Sequence, residues 1–298
     1  MKLLRWGPKG CEKPGALDPR GRTRDLSGII KDIGPSILKK EILAQLRSVN
    51  LMRLPEVPAS ERLGVPIGGV GKFLGVGLNY ASHAVDSHGN RASEPTIFTK
   101  AISCLNGPGD DIVLPRHTQK PDWEVELGVV IGRTARYVDT SEAMDCVCGY
   151  VLVNDVSDRG FQNVSGQWDK GKGCDTFGPV GPWLVTADEI ADPQTLDLWL
   201  QLNGRTMQRD NTRNMIFPVA ALISNISSYI TLNPGDIIAT GTPRGVGADQ
   251  KPEPRFLQPG DVLTLGVDGL GTQRQKVVAW PGHSRVAGMT TVLRDGTR

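Results

Sequence analysis

The sequence contains few histidines and cysteines, the residues on which zinc sites and disulfide frameworks depend. Its 298 residues include four histidines and five cysteines. No two histidines form a His-x-x-x-His pair, so a zinc site of the thermolysin type has no ligands here. The cysteines are odd in number, lack the paired spacing of a metal-binding finger, and belong to a chain too long to need disulfide bonds for folding. We therefore expect neither structural zinc nor a disulfide framework.

Long apolar runs are also absent. The longest apolar segments, such as residues 127–131 and 151–153, have the length of strands and fall far short of the roughly 20 residues of a membrane span. Near the N-terminus, Pro8 interrupts the chain before the apolar region of a secretory signal can form. We expect a cytoplasmic protein without a membrane partner.

No excess of charge of one sign is present. Lysine and arginine total 34 against 32 aspartates and glutamates, which gives a formal net charge of +2. So small a net charge argues against a general nucleic-acid binder. Gly75 and Gly77 lack the third glycine of the dinucleotide fingerprint, and no P-loop lysine motif occurs, so nucleotide binding is not expected.

The first seventy residues differ in pattern from the rest. Residues 36–50 carry apolar side chains at helical spacing, with Ser36 as the candidate N-cap, and predict the clearest helix. Proline and glycine are frequent in residues 51–71, as in a connecting segment. We therefore place a domain boundary near Gly71, between a small N-terminal domain (1–70) and a larger body (71–298).

The body is predicted to consist mostly of strands, which gives a β-dominated α+β fold. Two helices are expected, one that begins around Pro218 and a shorter one at residues 141–146. Short apolar or alternating segments predict the strands. They cover residues 124–131, 149–154, 183–186, 196–202, 237–240, 262–267 and 275–280.

Three carboxylates stand where strands would bring them together. Within a strand, Glu124 and Glu126 would lie on one face, opposite Val125. Asp155 ends a second apolar strand, where an unpaired carboxylate is costly. Three carboxylates form the kind of oxygen site that Mg²⁺ or Mn²⁺ prefers. A solvated glutamate face on an amphipathic strand is the alternative. Lys172, between glycines, could approach an anionic substrate or lie in solvent.

Six motifs in order resemble those of the fumarylacetoacetate hydrolase family, over about Gly71 to Pro281. The motifs are residues 76–83 (VGLNYASH), 94–100 (EPTIFTK), 124–127 (EVEL), 154–157 (NDVS), 172–179 (KGCDTFGP) and 240–247 (TGTPRGVG). The resemblance implies a mixed β-sandwich roll and a homodimer. It also implies a small 2-oxo acid as substrate and an Mg²⁺ or Mn²⁺ ion held by Glu124, Glu126 and Asp155.

The resemblance further implies the roles of the residues around the ion. The residues implied to line the substrate pocket are Lys100, Arg159, Gln162, Lys172 and Thr242. His83 and Asp86 stand where hydrolytic members carry a histidine and an acid that activate water, and Lys172 would hold the carboxylate or the developing oxyanion. The family acid is usually glutamate, so Asp86 shortens the reach of this pair by one methylene group.

The expected reaction is hydrolysis of the C–C bond of a 2,4-diketo acid, which gives pyruvate and a second carboxylic acid. Residues 167–183 resemble the branch that acts on sugar-derived acids such as L-2,4-diketo-3-deoxyrhamnonate. A decarboxylase, an isomerase or a ureidoglycolate lyase of the same fold is the alternative. A decarboxylase or isomerase would not need His83 and Asp86, so their presence favours hydrolysis. A further alternative is a protein without enzymatic activity, and that interpretation predicts that no divalent ion is bound.

Overall fold

A computed structural model describes residues 1–84, 93–164 and 166–281, without the side chains of residues 83 and 84. Within these residues strands far outnumber helices, which confirms the predicted β-dominated α+β fold. The strands are β1 (Lys2–Trp6), β2 (Lys13–Leu17), β3 (Thr23–Asp25), β4 (Phe73–Gly77), β5 (Thr96–Lys100), β6 (Leu105–Asn106), β7 (Ile112–Leu114), β8 (Pro121–Asp122), β9 (Val125–Ile131), β10 (Val147–Asn154), β11 (Ser157–Asp158), β12 (Gly178–Pro179), β13 (Leu184–Thr186), β14 (Asp197–Leu202), β15 (Arg205–Asn211), β16 (Ile237–Ala239), β17 (Val262–Val267) and β18 (Gly271–Ala279).

The helices are short. The α-helices are α1 (Lys40–Arg47), α2 (Ala81–Ala84), α3 (Thr140–Ala143), α4 (Arg159–Gln162), α5 (Asp169–Lys172) and α6 (Val219–Ser227). Single 3-10 turns lie at Leu51–Arg53, Ile102–Cys104, Met144–Cys146, Ala187–Glu189, Thr212–Asn214 and Gly247–Asp249. Of the described helices, the longest has nine residues, and none has the length and apolarity to cross a membrane.

Two sheets carry most of the strands. The larger sheet has nine strands in the order β3-β2-β1-β13-β10-β9-β16-β4-β5, and the smaller has five in the order β15-β14-β17-β18-β7. β6 pairs with β12, and β8 pairs with β11. β9 runs antiparallel to both of its neighbours, β10 and β16, near the middle of the larger sheet. Residues at the start of β9 therefore lie deep in the molecule.

The larger sheet is covered on both faces. On β9, Leu127 and Val129 pack in a core shared with β14 and β17 of the smaller sheet, whereas Val130 packs in a second core. The second core also holds Leu3 and Leu43 from the N-terminal part of the chain. Burial on both faces explains why β9 and β10 are almost continuously apolar in sequence.

The N-terminal strands belong to the larger sheet. β1 pairs antiparallel with β13, and β2 and β3 extend the same edge. The second core likewise contains residues from both sides of Gly71. Residues 1–70 therefore share a sheet and a core with the body, and the boundary between 1–70 and 71–298 stays a prediction.

The N-terminal helix is shorter than predicted. α1 begins after Lys39, which makes no side-chain capping bond, so the proposed N-cap at Ser36 is wrong. Ahead of the helix, the Ile37 N–H donates to Gly34 O in a turn. After it, Ser48 Oγ donates to Gln45 O at 2.7 Å, a local bond that competes with a further helical turn. Local hydrogen bonds at both ends therefore make α1 shorter than the helix that the apolar spacing predicts.

The other predicted elements are present with small shifts of their ends. The predicted strands correspond to β9, β10, β13, β14, β16, β17 and β18, and the predicted helices to α6 and α3. β18 starts at Gly271, four residues before the predicted strand, because Gly271 and Thr272 already pair with β17. The strands of the first seventy residues, β1 to β3, were not predicted, since their pattern is short and mixed.

Candidate metal and substrate site

Three carboxylates converge at one end of β9 and β10. Glu124 directly precedes β9, Glu126 lies within it, and Asp155 directly follows β10. The Asp155 N–H donates to Glu124 O at 2.9 Å and so continues the pairing of the two strands. The ligand oxygens of the three side chains all lie within 4.8 Å of one another.

The three carboxylates are buried. Their residues are exposed by 5% at Glu124, 1% at Glu126 and 0% at Asp155, and Val125 packs on the opposite side of the strand in the core. The alternating arrangement expected from the sequence is confirmed. The alternative, a solvated glutamate face, does not describe this strand.

Two lysines compensate the charge of these carboxylates. Lys172, the last residue of α5, places Nζ 2.7 Å from Glu124 Oε2 and 2.7 Å from Asp155 Oδ2. Lys100, the last residue of β5, places Nζ 2.6 Å from Asp155 Oδ1. Lys100 Nζ also donates to the backbone carbonyl of Lys172 and to Val156 O. Buried carboxylates therefore have buried cationic partners, as their desolvation requires.

Arg159 forms a second charged layer. Its Nε donates to Asp122 Oδ2 at 2.9 Å, and its Nη2 forms an ion pair with Glu124 Oε1 at 2.6 Å. Asp122 is fully buried and also accepts from the N–H groups of Gly247 and Ala248. The arginine is thus oriented by an aspartate that the backbone itself holds in place.

The charged neighbours set the pKa of each group. Burial favours the neutral form of Glu124, but the charges of Lys172 and Arg159 outweigh it and lower its pKa. Burial and the negative charges of Asp155 and Glu124 raise the pKa of Glu126 well above its ordinary value. Burial opposes the charge of Lys172, yet Asp155 and Glu124 outweigh it and raise its pKa. The negative charge of Glu126 is therefore repelled by Asp155 and Glu124, and a bound cation would relieve this repulsion.

The loop after β16 forms another side of the site. The Gly241 N–H donates to Glu126 Oε2 at 2.8 Å, and Gly241 has a positive φ of 102°. A Cβ atom at this position would lie 2.7 Å from the Cβ of Asn79, whose amide donates to Thr240 O at 2.7 Å. A glycine is required here because both the backbone angle and the close approach exclude a side chain.

A cavity of about 130 Å³ is lined by two of the carboxylates, Glu124 and Glu126. Its lining residues are Val76, Gly77, Leu78, Glu124, Glu126, Arg159, Gln162, Trp168, Lys172 and Thr242. A larger cavity, about 840 Å³, lies beside α1 and contains none of the three carboxylates. The smaller cavity is therefore the one that contains the acidic and basic side chains of the candidate site.

Most of the predicted site residues meet at this cavity. Arg159, Gln162, Lys172 and Thr242 line it together with Glu124 and Glu126, and Asp155 contacts Lys172. Lys100, predicted to line the substrate pocket, is fully buried against Asp155 and is not part of the cavity wall. Its contacts are those of a group that supports the carboxylates, because its ammonium group is already surrounded by oxygen atoms of the protein.

The predicted water-activating pair is only partly placed. His83 belongs to α2, but its side chain lies outside the described residues, as does the whole of Asp86. The start of α2 is held by Ser82, whose Oγ donates to Asp210 Oδ2 at 2.9 Å. The assignment of His83 and Asp86 stays a prediction.

Several residues of the site were not predicted from the sequence. Trp168 lines the cavity and lies 5.4 Å, centroid to centroid, from the ring of Phe98. Gln208, from the smaller sheet, bonds to Thr242 and to the first residue of β9. Asp122 could have been found, since it opens the acidic segment that contains Glu124. No local signal marks Gln208.

The donor set suits a hard divalent cation. Three carboxylate oxygens within 4.8 Å of one another are ligands of the type that Mg²⁺ and Mn²⁺ prefer. Glu126 gains most from such an ion, because burial and its two carboxylate neighbours raise its pKa. The residues present therefore fit a divalent metal ion.

Comparison with known proteins gives a consistent result. Residues 72–278 match the family model described as "Fumarylacetoacetate (FAA) hydrolase C-terminal". A protein from Sphingomonas sp. (strain SKA58), named 2,4-didehydro-3-deoxy-L-rhamnonate hydrolase, is 53% identical over 281 residues, which cover 94% of this chain and 97% of that protein.

Solved structures share the fold. A fumarylacetoacetate hydrolase from Exiguobacterium antarcticum superimposes with a TM-score of 0.82 at 33% identity, covering 94% of this chain and 100% of that one. Maleylpyruvate hydrolase from Sphingobium sp. SYK-6, in complex with manganese(II) and pyruvate, gives a TM-score of 0.79 at 31% identity, covering 94% and 99%. The order of motifs, the fold and these matches show that the chain belongs to the fumarylacetoacetate hydrolase family.

Proposed function

We propose that this protein is a metal-dependent hydrolase that cleaves the C–C bond of a 2,4-diketo acid. The substrate we propose is 2,4-didehydro-3-deoxy-L-rhamnonate, also called L-2,4-diketo-3-deoxyrhamnonate, which would give pyruvate and lactate. The relative that bears this activity in its name is 53% identical over nearly the whole chain. Identity of this extent supports the same chemistry more directly than the fold, which hosts several reactions.

The observation that carries the proposal is the cluster of three buried carboxylates, two of which line the cavity. Glu124, Glu126 and Asp155 would hold Mg²⁺ or Mn²⁺. The presence of a manganese ion and pyruvate in the maleylpyruvate hydrolase complex supports an ion of this class and a 2-oxo acid as ligand. When bound, the ion would supply Lewis-acid stabilisation of the negative charge that develops on the 2-oxo acid half.

The cationic residues of the cavity would bind and orient the substrate. Lys172 and Arg159 line the wall beside the carboxylates, where they attract the carboxylate of a 2-oxo acid. Both are already fixed by short contacts to Glu124, so they would reorganise little when the substrate arrives. Gln162 accepts from Arg159 Nη1 at 3.2 Å and so keeps its own amide N–H groups for the substrate.

Cleavage requires an activated water molecule. We assign this step to His83, oriented by Asp86, because a neutral imidazole can take a proton from water near pH 7. Water then attacks the carbonyl carbon at position 4, and the bond between carbons 3 and 4 breaks. Its electron pair leaves as the enolate of pyruvate, which takes up a proton. The other product is a carboxylic acid built from carbons 4 to 6.

The decisive experiment is an assay of pyruvate release from 2,4-didehydro-3-deoxy-L-rhamnonate with Mg²⁺, with Mn²⁺ and with EDTA. We expect release with either ion and its loss in EDTA. The variant His83→Ala should lose release but keep its affinity for Mn²⁺. Consumption of the substrate without pyruvate would contradict hydrolysis and point to isomerisation. Undiminished release in EDTA would contradict the metal site.

A further inference from the structure

The orientation of one buried amide fixes the hydrogen-bonding direction of the cavity wall. Gln208, on β15 of the smaller sheet, is 1% exposed. Its Oε1 accepts from the Val125 N–H at 3.0 Å, and its Nε2 donates to Pro243 O at 2.8 Å. A backbone N–H can only donate and a backbone carbonyl can only accept, so these two partners leave one orientation for the amide.

The amide orientation then determines what Thr242 can offer. The second hydrogen of Gln208 Nε2 points to Thr242 Oγ1, 2.8 Å away, so the hydroxyl accepts from it. The hydroxyl hydrogen of Thr242 goes to Val125 O at 3.0 Å. One donor and one lone pair of the hydroxyl are therefore used within the protein. A ligand that reaches Oγ1 meets the remaining lone pair.

Rotation of the hydroxyl toward a ligand is costly. β16 ends at Ala239, so at Val125 the side chain of Thr242 takes the place of the next strand as donor to the backbone carbonyl. If the hydroxyl hydrogen turned away, a buried carbonyl would lose this donor, which is unfavourable in the absence of water. Thr242 is thus held as an acceptor.

Gln162, elsewhere on the cavity wall, offers a ligand hydrogen-bond donors, whereas Thr242 offers an acceptor. Arg159 Nη1 donates to Gln162 Oε1 at 3.2 Å, and arginine has no acceptor, so the amide NH₂ of Gln162 is the end left for a ligand. Lys172 and Arg159 also only donate. Donors for carboxylate and keto oxygens thus come from these three residues, and Thr242 supplies an acceptor.

We propose that Thr242 accepts a hydrogen bond from a hydroxyl group of the substrate, and that the site thereby prefers 2,4-diketo acids that carry a hydroxyl group beyond the diketo unit. This inference rests on the proposed function. In 2,4-didehydro-3-deoxy-L-rhamnonate, carbons 2 and 4 are keto groups and carbon 3 lacks oxygen, so carbon 5 carries the hydroxyl group. Simple acylpyruvates have no donor at that position.

The test compares two substrates of equal length that differ in one hydroxyl group. These are 2,4-didehydro-3-deoxy-L-rhamnonate, which is 5-hydroxy-2,4-dioxohexanoate, and 2,4-dioxohexanoate. We expect the wild-type protein to favour the hydroxyl-bearing acid in kcat/KM by on the order of tenfold or more. Thr242→Val keeps the shape but removes the acceptor and should bring the ratio close to one. Thr242→Ser, which keeps the hydroxyl, should retain the preference.

The ratio of the two substrates separates recognition from folding. Any general damage from Thr242→Val, such as the lost donor to Val125 O, lowers the rate on both acids and cancels in the ratio. A wild-type ratio near one, or a ratio unchanged in Thr242→Val, would overturn the inference while pyruvate release upheld the proposed function.

Failure of the proposed function would look different. If the wild-type protein with Mn²⁺ releases pyruvate from neither acid, the proposed hydrolysis is wrong. The affinities of the same two acids, measured by calorimetry, then decide the inference separately. Tighter binding of the hydroxyl-bearing acid that is lost in Thr242→Val supports it, and equal affinities overturn it.

Discussion

Lys100 supports Asp155 without lining the cavity, with Nζ 2.6 Å from Oδ1 and both side chains fully buried. Lys100→Met would leave the buried carboxylate without this partner, at a cost of about 3–5 kcal/mol in the free energy of unfolding. Urea unfolding of the metal-free protein measures the loss. Lys40→Met, on the exposed face of α1, is the matched control and should change little. Equal stability of the two variants would show that the contact does not matter.

Glu126 is expected to lower the stability of the metal-free protein and to raise its affinity for the metal ion. Its carboxylate lies within 4.8 Å of two others, so Glu126→Gln removes repulsion while its side-chain oxygen can still accept from Gly241. In EDTA the variant should be more stable than the wild-type protein by about 1 kcal/mol or more. Its affinity for Mn²⁺, measured by calorimetry, should fall by about a hundredfold or more. A less stable metal-free variant would contradict this account.

Trp168 is held close to the backbone of Gly77, which lines the cavity. A Cβ atom on Gly77 would lie 2.5 Å from the tryptophan ring, so Gly77→Ala must displace the ring and deform the wall. We expect kcat/KM for the proposed substrate to fall by about tenfold or more. Gly109→Ala, where a Cβ atom meets nothing within 4 Å, should leave it unchanged. Full activity of the first variant would mean that Trp168 plays no part in binding.

Asp18 makes the stability of the N-terminal part pH-dependent. Burial opposes its charge, but the backbone N–H groups of Arg22 and Arg20 and the side chain of Arg24 outweigh burial and lower the pKa to about 2 from an ordinary 3.8. A lowered pKa contributes stability that is fully present above the ordinary value and is lost as the pH falls through about 2.

The variant Asp18→Asn should therefore unfold at lower urea concentration than the wild-type protein at neutral pH. The difference between the two should stay constant down to about pH 5 and narrow as the pH falls from about 4 towards 2. Urea midpoints measured across this range check the sign. A difference that widens on acidification would contradict the assigned ionisation.

The part of the site built by neighbouring residues could be predicted from the sequence. The two-residue period of β9 places Glu124 and Glu126 on one face, and the end of an apolar strand marks Asp155. The position of Lys172 follows less directly, because four-residue helices such as α5 leave little periodicity. The resemblance of the motifs to the family predicted that Lys172 belongs to the site, which spacing alone did not.

The supporting residues could not be predicted because they come from distant segments. Gln208 reaches Thr242 across 34 residues of sequence and Val125 across 83. Lys100 was expected in the pocket wall, yet it is fully buried, does not line the cavity and donates to the carbonyl of Lys172. Such contacts depend on how two sheets and a loop pack, and no local pattern encodes that arrangement.

The bond from Lys100 Nζ to the backbone carbonyl of Lys172 limits how this site can be engineered. Exchange of residues 159–179 with those of a relative would import Lys172 but leave its backbone anchor on β5. Lys100 and the grafted loop would then come from two different proteins, and their contact would not be preserved by design. A graft that also carries β5 would transfer Lys100 and Lys172 together, and both could then contact the resident Asp155 as they do here. Substrate preference could in this way be changed without rebuilding the three carboxylates.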